Sequence, residues 1–176
     1  GDTLILTKPI GTGTLFAADM RGKAKGRWVD GAIQSMLVSN QAAASCLHRR
    51  GATACTDVTG FGLLGHLVEM TRASDADVQL ELEAVPLIDG VIELAGQGHL
   101  PGGSQRNMKA LASAVDYGRV GSPLREILAD AQASGGLLIS VHPDRLDFLL
   151  AALEAERAPV AVVMAVTDPD AAPHQR

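Results

Sequence analysis

CTDVTGFGLLGHLVEM, residues 55–70, reads as three pieces joined end to end. Its first residues continue a β-type run that begins at Ala52, and they close on Asp57. Thr59-Gly60-Phe61-Gly62 then makes a turn that only glycine-rich backbone adopts cheaply. Leu63, Leu64, Leu67 and Met70 follow at the three-and-four spacing of a helix with one buried face. A strand end, a carboxylate, a glycine turn and a helix start suit metal-bound phosphate. Backbone N–H groups and the positive helix end face the anion while the carboxylate holds a divalent cation. Aspartate at a strand-to-turn junction also caps the N–H groups that follow it, so spacing leaves both roles of Asp57 open.

Composition narrows the surroundings. A chain of 176 residues suits one domain. With 47% apolar residues and only 3% aromatic ones, its core must be built from Leu, Val, Ile and Ala. The net charge of −5, with basic residues gathered only around 21–27, disfavours a nucleic-acid partner. No apolar run approaches a membrane span, and neither a membrane partner nor a signal peptide is expected. Cys46 and Cys55 lack metal-ligand spacing and suit a reducing cytoplasm. The chain opens on Gly1 and runs at once into a strand, as a piece of a longer protein would.

Outward from the opening stretch, residues 3–7 read as a strand stopped by Lys8-Pro9, and Gly11-Thr12-Gly13 is the first of four glycine clusters. A short apolar run at 15–17 leads into a polar surface loop at 19–27. Residues 30–50 read as one amphipathic helix, capped by Asp30 and stopped by Gly51, with Asn40 near its buried face and bonded to a neighbouring loop. Val78, Leu80 and Leu82 alternate with polar residues as a strand with one wet face. Residues 87–95 can form a helix, 96–107 a loop holding Gly102-Gly103, and 108–115 a short helix. Ser122-Pro123 caps a helix over 124–129. A glycine loop ending in Gly135-Gly136 feeds a strand at 137–141. A helix over 143–157, a buried strand over 159–166 and a polar tail complete the chain. One-face-polar strands among buried ones predict an α+β domain: a mixed β-sheet flanked by helices.

Several chemistries are excluded by absence of their motifs: no P-loop lysine follows Gly11-Thr12-Gly13, no His pair stands at helical spacing, and no GxSxG occurs. His66 falls on a different helix face from Leu63 and Leu67, as a surface or supporting residue. Cys55, two residues from Asp57, lacks the cationic neighbour a thiolate needs, so it and Cys46 read as small buried apolar residues.

CTDVTGFGLLGHLVEM, with LTKPIGTG upstream and LPGGSQRN and ASGGLL downstream, closely resembles the C-terminal domain of the selenophosphate synthetase (selenide, water dikinase) family over residues 3–166. The resemblance implies a three-layer α/β/α domain over 1–166, a flexible tail at 167–176, and an N-terminal ATP-binding domain absent from this chain. It implies the conversion of selenide, ATP and water to selenophosphate, AMP and phosphate, with Mg2+ and ATP as cofactors. It assigns Asp57 to the metal and places Thr56, Thr59, Gly60, Gly62, Gly11, Gly13, Gly102, Gly103, Gly135 and Gly136 near the phosphates. No catalytic residue lies in this fragment, which alone is expected to be inactive. The implied partners are the small-molecule substrates, the N-terminal domain of the same polypeptide and a second copy in a homodimer. The chain departs from the family at Ala131 and Ala133, where proline and threonine are usual, and at residues 163–165, where a glycine is expected. Those departures also suit a non-catalytic module fused to a flavin-dependent oxidoreductase, or a paralogue with a different acceptor.

Overall fold

Leu4, Ile5 and Leu6 are all buried because the first strand runs through the middle of the sheet, where each face is covered. The structure, a computed structural model, describes residues 1–156 and 161–167, without the side chains of 48–50 and 161–167. Five strands, β1 (Thr3–Leu6), β2 (Ala52–Asp57), β3 (Asp77–Leu80), β4 (Leu137–Val141) and β5 (Ala161–Thr167), stand in the order β2-β4-β1-β5-β3. All the pairings between these strands are antiparallel, which corrects the mixed sheet predicted from the sequence within an otherwise sound α+β reading. The continuous apolar run of β4 is what misleads, since a central antiparallel strand covered on both faces has the same pattern as a parallel one. The alternating burial of edge strands β2 and β3 is the truer signal.

Eight helices of the described residues complete the domain: α1 (Thr12–Asp19), α2 (Gly26–Leu37), α3 (Gln41–Arg50), α4 (Gly62–Ser74), α5 (Val91–Gly96), α6 (Gly102–Leu111), α7 (Leu124–Leu128) and α8 (Pro143–Ala155). Ile5, Ile139 and Val141 meet Ala43 and Cys46 of α3 and Leu149 and Leu153 of α8. Leu4, Leu6 and Leu138 on the opposite face meet Leu63, Leu64 and Leu67 of α4 and Ile127 and Leu128 of α7. This gives helix, sheet and helix, three layers. A third cluster packs Trp28 of α2 with Leu15 and Ala18 of α1 and Leu94 of α5. None of these helices is long and apolar enough to cross a membrane.

Some element boundaries move. The single helix predicted over 30–50 is two, α2 and α3, because Val38 is extended and Ser39 Oγ accepts the N–H of Gln41 to start a new helix. Asp30 lies inside α2 and does not cap it; burial of Trp28 draws the preceding turn into the helix, with the Lys25 ammonium 4.2 Å from its ring centroid. Gly51 does end α3, at φ 81. Gly102-Gly103, expected in a loop, form the first turn of α6 behind an extended Pro101. The Ser122–Pro123 peptide is cis and α7 begins after it, so Pro123 takes the cap position expected of Ser122. The predicted start of the last strand at 159–160 and the tail at 168–176 lie outside the described residues. The strand itself forms, with residues 163–165 inside it, and pairs with both β1 and β3.

Candidate functional site

Residues 129–136, between α7 and β4, gather three other glycine segments around two buried side chains. Asp130 is completely buried and its carboxylate accepts hydrogen bonds from Thr14 N (3.0 Å), Thr14 Oγ1 (3.0 Å), Ser104 Oγ (2.8 Å) and Gln132 Nε2 (3.1 Å). Burial raises its pKa, and those four bonds draw it back only in part. Gln132 Oε1 accepts from Gly11 N (2.9 Å), Thr12 N (3.2 Å) and Thr12 Oγ1 (3.2 Å). The amides of Gly11, Thr12 and Thr14 at the start of α1, in the cluster that the resemblance places near the phosphates, are thus occupied by the chain's own carboxylate and amide groups. Gly11 and Gly13 meet Val91 and the Asp130–Ala131 segment instead.

The segment at 57–62 lies on this hub, backbone against backbone. Val58 N donates to Gly136 O (2.8 Å) and Gln132 N to Thr59 O (3.0 Å). A Cβ at Gly135 would stand 2.0 Å from Val58 O, and one at Gly62, whose φ is 71, would stand 2.7 Å from the Ala129 carbonyl carbon. Only glycine permits either approach. Asn107 of α6 donates to Gly60 O and Ala129 O, and a Cβ at Gly103 would stand 3.6 Å from the Ala131 methyl. All four glycine clusters therefore meet at one end of the sheet, with Gly135 and Gly136 buried behind the turn and Gly60 and Gly102 exposed.

At the rim, Asp57 ends the edge strand β2 with its side chain exposed, and its carboxylate accepts no hydrogen bond from the described residues. Thr56 is half-buried beside it. Thr59 Oγ1 lies 3.2 Å from His66 Nε2. His66 is buried, not on the surface, and serves as a prop for Thr59. The Phe61 ring lies 5.5 Å from it, and Glu69 Oε2 stands 3.2 Å from its Nδ1 but outside hydrogen-bond alignment. Cys55 is exposed rather than buried, because β2 is an edge strand of the sheet. Partial desolvation and the Asp57 charge push its thiol up, away from nucleophile chemistry. Cys46 is buried as expected, and Asn40 donates to Gly135 O at 2.9 Å, a loop bond of the kind anticipated.

Sequence reasoning missed Asp130, Gln132, Thr12, Thr14 and Ser104. The available signal was an acid and an amide just ahead of Gly135-Gly136, with hydroxyls inside two other glycine clusters. No group of three or more His, Cys, Asp and Glu side chains gathers among the described residues. A lone exposed carboxylate still fits Mg2+, which is commonly held by one or two carboxylates plus water and substrate phosphates.

The family model for AIR synthase related protein, C-terminal domain, matches residues 1–172. "Selenide, water dikinase" of Pelobacter propionicus is 41% identical over 165 residues, covering 93% of this chain and 47% of the relative. The protein of that name from Clostridioides difficile is 40% identical over 151 residues, covering 85% and 43%. The chain thus spans less than half the length of these curated relatives. Thiamine-monophosphate kinase from Stenotrophomonas maltophilia shares the fold at a TM-score of 0.62 and 14% identity, over 96% of this chain and 48% of that one. The chain belongs to the AIR synthase related protein family, as its C-terminal domain.

Proposed function

We propose that this domain is the C-terminal half of a selenide, water dikinase and supplies one wall of its phosphate site. The observation that carries this is Asp57: an exposed carboxylate without hydrogen bonds from the described residues, on a turn whose backbone is fixed by the Asp130 hub. The name shared by the two curated relatives supports the reaction, selenide plus ATP plus water to selenophosphate, AMP and phosphate. It also favours an enzyme over a binding module.

A divalent cation such as Mg2+, when bound, would supply charge neutralisation for phosphate oxygens. This chain's contribution is positional. Asp57 is the residue that would hold the ion. Thr59, held by His66, and the exposed Gly60 would stand beside it, while Gly62, its N–H spent on Thr59 O, acts through its close packing on Ala129. Thr56 stands half-buried one residue before Asp57, inside β2. Gly102 and Gly103 open α6 on the far side of the same cluster, while Gly11, Gly13, Gly135 and Gly136 act through the loops they allow to pack. The catalytic nucleophile and most of the nucleotide pocket come from the N-terminal domain of the same polypeptide, in a cytoplasmic homodimer. The fragment alone does not turn over.

Asp57→Asn in the full-length protein tests this. Selenophosphate formation, followed by phosphorus NMR, should fall by about a hundredfold or more, as for loss of a group acting on transition-state charge. A wild-type rate would sink the metal assignment.

A further inference from the structure

Lys8 is 3% exposed, an unusual position for a lysine, and it stands directly after β1 in the LTKPIGTG segment. Its Nζ donates to Ser134 O at 2.9 Å. No carboxylate of the described residues forms an ion pair with it; neither Asp57 nor Asp130 does. An ammonium carries three donors, and one carbonyl satisfies one of them without offsetting the charge. Burying a cation in this way is costly unless an opposite charge arrives.

The loop that Lys8 contacts also packs on the Asp57 turn. A Cβ at Gly136 would stand 2.5 Å from Lys8 N, and one at Gly135 would meet Val58 O, the residue after Asp57. The loop at 134–136 therefore lies between the lysine and the Asp57 turn and touches both. Nothing else in the hub is cationic: Asp130 and Gln132 are satisfied by hydroxyls and amides. We propose that Lys8 is an anion-binding residue whose ammonium takes an oxygen of the phosphate ligand held at the glycine loops. The inference rests on the phosphate-site reading above and adds a direct cationic contact to it. The downward pull of burial on the Lys8 pKa agrees with an ammonium that has no carboxylate partner among the described residues.

Inorganic pyrophosphate is the probe, titrated calorimetrically into the full-length protein as wild type, Lys8→Gln, Lys8→Met and Asp57→Asn. Glutamine keeps a donor for Ser134 O but not the charge; methionine removes both. Both Lys8 variants should bind pyrophosphate roughly tenfold or more weakly, with a shallower salt dependence, as for loss of one charge-assisted bond. Lys8→Gln should keep the thermal midpoint of the wild type. Wild-type affinity in Lys8→Gln, or a wild type that does not bind pyrophosphate at all, overturns the proposal. If Lys8→Gln weakens binding while Asp57→Asn leaves turnover intact, Lys8 stands and the Asp57 metal reading falls. The converse pattern removes Lys8 and keeps Asp57.

Discussion

Asp57 and Asp130 each stand where a regular element gives way to a glycine loop, and the two loops lie against each other. Around Asp130 every donor is committed: a main-chain N–H, two hydroxyls and an amide converge on a carboxylate with no exposure. Around Asp57 none is; the side chain is exposed at an edge-strand end. The contrast separates two tasks that look alike in sequence. The buried acid binds the chain to itself and gives the wall its shape. The exposed acid keeps its coordinating capacity for something from outside.

The largest effect should come from breaking the buried side. Asp130→Ala leaves the Thr14 N–H and hydroxyl and the Ser104 hydroxyl without their acceptor, while the Gln132 amide keeps its 2.8 Å bond to the main-chain oxygen of residue 130. At about 1–3 kcal/mol for each buried group left unsatisfied, partly relieved by rearrangement, the loss should be about 3–5 kcal/mol in urea unfolding. That is a large fraction of the roughly 5–15 kcal/mol that holds a typical domain together. A loss under about 1 kcal/mol would mean the hub is not what joins the loops.

A gentler probe of the same residue is pH. Burial raises the Asp130 pKa above 3.8, so the folded state holds this proton more tightly than the unfolded state does. The sign follows: its stabilising contribution is complete below pH 3.8 and is lost as pH rises through the window up to the raised folded value. A carboxyl that titrates one pH unit higher when folded than when unfolded changes stability by about 1.4 kcal/mol across that window. Asp130→Asn cannot titrate, so the stability difference between wild type and this variant should change across the window and level off above it. A difference that is flat with pH would show that the four donors fully offset burial.

How far could this contrast be read from the sequence alone? The opening stretch carried its strand, turn and helix correctly, since apolar spacing and glycine act locally. Asn40 was legible too, because a buried amide must find a partner. The break between α2 and α3 was hidden. Val38 and Ser39 are tolerable in a helix, and the bonds that accompany the break, Asn40 to Gly135 O and the Ser134 hydroxyl to Met36 O, come from a loop about 95 residues away. The start of α6 at Gly102 was hidden for a similar reason: glycine signals a loop locally, but Ser104 must reach Asp130. Burial of His66 and exposure of Cys55 depend on which strand ends at the sheet edge, a property of the whole topology. Asp130 itself has no periodic signature. Its partners lie 116 residues away in Thr14 and 26 residues away in Ser104, so one loop in isolation does not reveal it.

The smallest expected effect is the most informative about the exposed side. Asp57→Asn removes a carboxylate that makes no hydrogen bond with the described residues and ends a strand whose main-chain pairing to β4 does not need the charge. Thermal unfolding of the full-length protein should therefore shift by no more than the equivalent of about 0.5 kcal/mol, the usual range for surface substitutions. The same change also removes a negative charge two residues from Cys55, so that thiol should titrate at a lower pH than in the wild type, measurable by its rate of alkylation. A variant that keeps its stability, lowers the Cys55 pKa and loses turnover would show a residue that acts on a ligand and not on the fold. A marked loss of stability would instead give Asp57 a structural share like that of Asp130, and the division of labour between the two aspartates would have to be abandoned.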